Sequence, residues 1–384
     1  MAKALEGYKI LSQDDHTFEP SDLWVTRMPA KYRDRAPHLV HQEDQDMWWC
    51  EDTRLVGMGP GTRPGRRYEP DPEVRKQIGL TRVREEHLRP GGHDPDERIK
   101  DMDIDGIDKT IIYSTVGLHL YKVPDQELLH EIHKTWNDWI ADYCNAHPDR
   151  LYATALVNPE LVEEAIDELQ RCKKMGFVGC MIPEGTMPDT RYNNPMYEPF
   201  WAACQDLEMP LVFHIGCNRP SPDNEFMDPN SSTPAFLANI DRYPRMSLTD
   251  MIFTGVFERH PKLQVGVIEH EVAWIPHFLE RMDYTWTDRL STSTRPDRYK
   301  FPDGVLPSDY WYTNCFVGFQ EDPLTIRLRD IVGVDNIQFG VDYPHDEGTF
   351  PKSREIAEKL LEPCTDEEKR KILYENAARI YGIT

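Results

Sequence analysis

LYATALV (151–157), PELVEEAIDELQRCKKM (159–175), FVGCMI (177–182), MYEPFWAACQDL (196–207) and PLVFH (210–214) follow one another with almost nothing between them. The first, third and fifth are short apolar runs next to Gly or Pro and read as strands. The second and fourth carry their apolar residues at helical spacing. Strand, helix, strand, helix, strand in this order implies parallel strands joined by right-handed crossovers. The rhythm extends in both directions. Upstream lie a helix at 98–107, a strand at 110–113 and a long amphipathic helix at 125–146. A first strand at 8–12 runs into Gln13-Asp14-Asp15-His16. Downstream come helical material at 234–259, a strand at 263–269, a helix at 274–286, a strand at 311–316, a helix at 324–332 and a strand at 336–341. Two helices, near 353–361 and 366–381, close the chain.

About eight strands, nearly all separated by helices, predict an α/β chain folded as a closed (β/α)8 TIM barrel. An open doubly wound sheet would want a glycine-rich fingerprint after its first strand; here that strand ends in Asp-Asp-His. No short repeat and no linker divides the chain, so 1–384 reads as a single domain, with 365–384 a C-terminal helix. Residues 25–97 read as a lid-like insertion after the first strand. This stretch is polar and rich in Pro and Gly, holding Trp48-Trp49 and the loop Gly57-Met58-Gly59-Pro60-Gly61. So long a run without structure would be unusual, so short elements of its own are expected there.

The chain is 39% hydrophobic, enough for a sizeable core. Lys and Arg total 44 against 67 for Asp and Glu, a net charge of −23 that repels nucleic-acid backbones and anionic lipid heads. No apolar run approaches the ~18 residues of a membrane span, and no secretory signal is visible. Eight cysteines without a CxxC pair are read as reduced thiols of a cytoplasmic protein. The expected partner is a small carboxylated molecule, with no nucleic acid and no membrane, and the chain is expected to form a homo-oligomer.

Catalytic groups of such barrels gather at the C-terminal ends of the strands. Strand one ends Asp14-x-His16, strand five at His214, strand six at Glu269-His270-Glu271 and strand eight at Asp342. Mixed imidazole and carboxylate donors converging on one mouth suit a divalent Zn, Mn or Fe ion with an open position. Singly, each signal is also met by a bland role: a hydrogen-bonded core histidine, or an aspartate capping a helix.

These motifs resemble those of the amidohydrolase-related branch of the amidohydrolase superfamily, which includes aminocarboxymuconate-semialdehyde decarboxylase and γ-resorcylate decarboxylase. Asp14 through Trp24 resembles its D-x-H-x-x-E-P-x-D-L-W opening. Arg191-Tyr192 through His214, His260-Pro261-Lys262-Leu263 with Trp274-Ile275-Pro276, Gly340 through His345 and Asn376-Ala377-Ala378-Arg379 are similar to its later motifs. The resemblance implies a barrel with one catalytic divalent metal held by Asp14, His16, His214 and Asp342. It implies that Asp342 also serves as acid/base and that His270 positions or activates water or substrate. No lysine stands in the fourth strand, so the carbamylated-lysine bridge of some two-metal relatives is absent.

Glu269-His270-Glu271 departs from the small residues usual there. Glu271 reads either as a rim carboxylate paired with an arginine or as an extra ligand, holding a second metal with Glu19 or His270. Trp49 of the insertion is a candidate to stack a substrate ring, or an anchor for the lid, and Arg219 is a candidate anion anchor. The leading expectation is a metal-dependent lyase or hydrolase, with nonoxidative decarboxylation of a carboxylated aromatic or ring-cleavage product first. A C–C, ester or amide hydrolase uses the same residues. An iron-dependent oxygenase on the same barrel is the next alternative, and a non-catalytic binding barrel the last.

Overall fold

The computed structural model describes residues 5–43, 46–58, 63–80, 84–220, 233–289 and 301–384. Residues 59–61 of the Gly57–Gly61 loop, and Ser221 and Pro222 after Arg219, lie outside the described residues. Eleven strands are described: β1 (Leu11–Thr17), β2 (His38–His41), β3 (Asp46–Cys50), β4 (Thr53–Gly57), β5 (Lys109–Ser114), β6 (Leu151–Leu156), β7 (Gly179–Ile182), β8 (Leu211–His214), β9 (Val265–Ile268), β10 (Cys315–Phe319) and β11 (Ile337–Phe339). Eight form one sheet in the order β1-β5-β6-β7-β8-β9-β10-β11, each paired parallel to the next. The ring closes just beyond β11. The Asp342 and Val341 amides donate to the Asp14 carbonyl at 2.6 and 3.2 Å, and the His16 amide donates to Tyr343 O at 2.5 Å. This is the (β/α)8 barrel expected, with helices in every crossover and strands buried at all but two positions, Lys109 and Tyr152.

Several boundaries differ from the sequence reading. The first strand is Leu11–Thr17, not 8–12, so Asp14 and His16 lie within it. Its pairing with β5 slips between Ser12 and Asp15. Asp15 draws hydrogen bonds from Ser12 Oγ (3.2 Å), the Tyr343 amide (3.0 Å) and the Thr110 hydroxyl. The apolar run at 311–316 is mostly helix (Asp309–Asn314), with the strand beginning only at Cys315. Its aromatic residues look strand-like, but Trp311 Nε1 and the Tyr312 hydroxyl donate to Val332 O and Ile331 O, each at 2.8 Å, which seats them on the next helix. Helical material at 234–259 is three pieces, with Gly255 at φ 75° before the last. The closing helix is interrupted by a π-helical turn at Lys371–Glu375.

The segment between β1 and β5 carries its own antiparallel sheet, β2-β3-β4. Trp48 is buried edge-on against Trp24, ring centroids 5.3 Å apart. Beyond the sheet, Arg67 reaches Glu321 at 2.5 Å and the Glu347 carbonyl, and Arg66 pairs with Asp346. Lys122 Nζ donates to Leu55 O at 3.0 Å. This segment is thereby tied to the loops that follow β5, β10 and β11, at the C-terminal face of the barrel. Among the described residues no helix is long and apolar enough to cross a membrane, and all eight cysteines are free.

Candidate metal centre and active site

Asp14 and His16 enter the barrel from β1, His214 from the last residue of β8, and Asp342 from the segment just past β11. All four are completely buried. His214 Nε2 lies 3.2 Å from Asp14 Oδ1, and His16 Nε2 lies 3.4 Å from the same oxygen and 3.6 Å from Asp342 Oδ1. The two imidazoles meet edge to face with centroids 4.8 Å apart. Glu269 joins them through Oε2, 3.6 Å from His214 Nδ1. Asp342 and Glu269 have φ of 59° and 64°. Left-handed backbone is uncommon for such residues and clusters where a site over-determines it.

Four buried atoms here have no hydrogen-bond partner among the described residues: Asp14 Oδ2, both ring nitrogens of His16 and Asp342 Oδ2. Buried polar atoms are almost always satisfied, so a cluster of orphans calls for a missing partner. The electrostatics point the same way. Burial and the nearby carboxylates, Asp14 and Glu347 among them, push Asp342 well above the ordinary carboxylate range; burial, Asp342 and Glu347 do the same to Glu269. Burial alone would also raise Asp14, but the imidazoles of His214 and His16 outweigh it and hold Asp14 low. Burial, with His345 and His214 nearby, pushes His16 down to about 3. Carboxylates crowded without a cation beside imidazole nitrogens are the donor set of a divalent ion. Asp14, His16, His214 and Glu269 each offer one atom, all within 4.8 Å of one another, and so fit such an ion.

Behind β1 a second layer fixes the ligands. Arg98 is fully buried; its Nη1 donates to His16 O at 2.9 Å and its Nη2 lies 3.3 Å from Asp15 Oδ2. Adjacent aspartates thus take different work: Asp14 turns to the site and Asp15 to the arginine.

The structure separates other candidates from this cluster. Glu19 is buried but satisfied, accepting from the Ser114 hydroxyl, Trp136 Nε1 (3.0 Å) and the Val116 amide (3.1 Å). Glu271 is exposed at the rim, with Asp322, Glu347 and Arg67 as charged neighbours. His270 turns Nε2 to Glu184 at 2.5 Å and Nδ1 to Ile268 O at 2.7 Å. Arg219 is buried and donates to Tyr121 O (2.6 Å), Val123 O (3.2 Å) and Glu160 (3.2 Å). Trp49 is half-buried in β3, and its Nε1 has no hydrogen-bond partner among the described residues.

Among the residues at this mouth given no role by sequence reasoning are Glu184 and His345. Glu184 stands two positions past β7, so the strand-end rule that found His214 would have found it. His345 lies three residues after Asp342, a spacing that returns a side chain to the same turn; its Nδ1 is 2.8 Å from Asp342 Oδ1.

The Amidohydrolase family model matches residues 38–383. The γ-resorcylate decarboxylase of Rhizobium sp. (strain MTP-10005) is 28% identical over 259 residues, which is 65% of this chain and 76% of that protein. An amidohydrolase from Mycobacterium avium subsp. paratuberculosis K-10 superposes with a TM-score of 0.77 at 21% identity, covering 98% of this chain and 99% of that one. The 5-carboxyvanillate decarboxylase of Novosphingobium aromaticivorans DSM 12444, crystallised with manganese, gives 0.66 at 22% identity, covering 98% and 97%. The two solved structures speak for the barrel, and the family model spans nearly all of the chain. The chain belongs to the amidohydrolase family, and it is an enzyme.

Proposed function

We propose that this enzyme is a metal-dependent lyase that removes a carboxylate, without oxidation, from an aromatic or ring-cleavage product. The observation that carries the reading is the set of unpartnered buried atoms on Asp14, His16 and Asp342, gathered with His214 at the C-terminal end of the barrel. The γ-resorcylate and 5-carboxyvanillate decarboxylases among its relatives support it. In this reading Asp14, His16, His214 and Asp342 hold one Mn, Zn or Fe ion, with Glu269 beside them. Such an ion supplies positive charge against the substrate's carboxylate and its neighbouring oxygen.

Asp342 is assigned the acid/base role. It passes a proton to the ring carbon, and the electron pair of the breaking C–C bond becomes the new C–H bond as CO2 leaves. His270, fixed at both nitrogens by Glu184 and Ile268 O, is assigned to shaping the site around the substrate rather than to bonding it. Trp49, on the lid-like insertion 25–97, is assigned to the substrate ring, supported by its unpartnered indole nitrogen. The contacts of Arg219 with Tyr121, Val123 and Glu160 support a role in holding the wall of the site rather than in gripping an anion. A cytoplasmic homo-oligomer without nucleic-acid partners belongs to the same proposal, supported in its location by the eight free thiols.

The test is an anaerobic assay of protein reloaded with Mn, Zn or Fe(II), offered 2,6-dihydroxybenzoate and 5-carboxyvanillate. CO2 released one for one with substrate consumed, at the same rate under air, is the expected result. Turnover that consumes oxygen would move the enzyme to the oxygenases, and a product carrying added water would move it to the hydrolases.

A further inference from the structure

The His345 imidazole is fixed at both ends. Nδ1 lies 2.8 Å from Asp342 Oδ1 and Nε2 lies 3.1 Å from Thr115 Oγ1. With Asp342 ionised, as a metal ligand is, its carboxylate only accepts, so Nδ1 carries the hydrogen and Nε2 accepts from the threonine hydroxyl. The backbone sets this up. The His345 amide donates to Asp342 O at 2.9 Å and the Thr349 amide donates to Val341 O at 2.8 Å, folding position 345 back over position 342. The same ring packs on His16 with centroids 4.3 Å apart. Asp342 Oδ1 is therefore committed, while Oδ2 is buried without a partner.

We infer that His345 is a positioning residue, which locks the Asp342 carboxylate in one orientation and leaves Oδ2 as the oxygen presented to the site. The inference rests on reading Asp342 as a metal ligand. A carboxylate free to rotate offers its two oxygens interchangeably; one clamped through Oδ1 offers a single donor in a fixed place. Thr115 completes the device by deciding which ring nitrogen donates. His16, Asp342 and His345 also come within ligating distance of one another. A direct bond from His345 to an ion, however, would break one of its two hydrogen bonds.

The experiment titrates Mn(II) into the full-length, metal-stripped protein by calorimetry and records the visible spectrum of the Co(II) form. Wild type is compared with His345→Phe, His345→Asn and Thr115→Val. Loss of a partner that orients a ligand typically costs about 10–100-fold in metal affinity. His345→Phe should fall in that range with unchanged stoichiometry and a shifted Co(II) band. His345→Asn, whose amide can donate from near the Nδ1 position, should recover most of the affinity and return the band toward wild type. Thr115→Val should lose less than His345→Phe. Affinity and spectrum unchanged in His345→Phe would overturn the inference. So would binding abolished in both His345 variants, which would make the ring a ligand. If His345→Phe does not fold by circular dichroism, the other two variants decide: wild-type affinity and spectrum in Thr115→Val, or no binding by His345→Asn, overturns it. Wild type that binds no ion overturns the ligand reading of Asp342 as well, whereas the other failures touch His345 alone.

Discussion

His270 Nε2 lies 2.5 Å from Glu184 Oε2 with both side chains completely buried. The other ring nitrogen faces a carbonyl, Ile268 O, which only accepts, and so carries a hydrogen. Glu184 is itself fixed by the Gly216 amide at 3.1 Å and Asn218 Nδ2 at 2.7 Å. Residues that follow β7, β8 and β9 thus hold one imidazole. We expect Glu184→Gln to keep its metal and fold but to lower kcat, by less than the ~10²–10⁴-fold typical of a group that transfers the proton itself. Steady-state kinetics with elemental analysis would show it. A kcat equal to wild type would leave the pair a purely structural contact.

His16→Ala and His214→Ala should each lose most bound metal while keeping the barrel. Both imidazoles supply donor atoms to the cluster, and burying an alanine there costs little beside the loss of a ligand. Elemental analysis together with far-ultraviolet circular dichroism separates the two effects. Full occupancy in either variant removes that residue from the ligand set.

The barrel was legible because its signal is repeated: short apolar runs alternating with helices give the topology even when single boundaries slip by several residues. That Asp14, His16, His214 and Asp342 come together was legible because residues at or near strand C-termini in a barrel share one face. Less visible were contacts made by residues with two plausible neighbourhoods. Glu19 sits five residues after Asp14 in an acidic, polar motif, yet Ser114, Val116 and Trp136, all remote in sequence, take its oxygens. Arg219 stands beside the mouth in sequence, but carbonyls at Tyr121 and Val123 claim it. Local pattern places a side chain at a face, whereas its partner is chosen by packing across the ring of strands.

Asp342→Asn should lose activity more completely than it loses metal. The amide oxygen still coordinates weakly, but an amide does not exchange a proton near neutral pH. Metal content and single-turnover kinetics of the variant would be read side by side. Turnover above about a tenth of wild type is incompatible with Asp342 as the principal acid/base, given the ~10²–10⁴-fold such groups contribute.

Arg98→Met should destabilise the fold strongly. The guanidinium is fully buried against Asp15 and also holds the His16 carbonyl. Removing one partner of a buried pair leaves the other charge uncompensated, at a cost of about 3–5 kcal/mol. Double substitution to Arg98→Met with Asp15→Asn should recover part of that loss, because the stranded charge is gone. Denaturant unfolding of the single and double variants measures both numbers; additive losses would mean that the pair contributes no coupling.

Glu269 and Glu271 flank His270, yet the fold treats them differently, and metal stoichiometry should follow. Glu269 lies 3.6 Å from His214 Nδ1 and shares the ligand cluster; Glu271 is an exposed rim residue whose charged neighbours are Asp322, Glu347 and Arg67. Glu271→Gln should therefore keep one ion per chain and most activity, while Glu269→Gln should weaken metal binding measurably. The strongest opposing argument is charge. Asp14, Asp342, Glu269 and Glu347 crowd the mouth, and Glu269, Asp342 and Glu347 bring oxygens within 4.8 Å of one another. A single divalent ion leaves part of that charge to be met by protons or by arginine. Inductively coupled plasma analysis of protein purified without added metal decides between these readings. One ion per chain in wild type and in Glu271→Gln supports the single-metal lyase. Two irons in wild type, falling to one in Glu271→Gln with turnover abolished, would make that carboxylate a ligand and put oxygen chemistry ahead of decarboxylation.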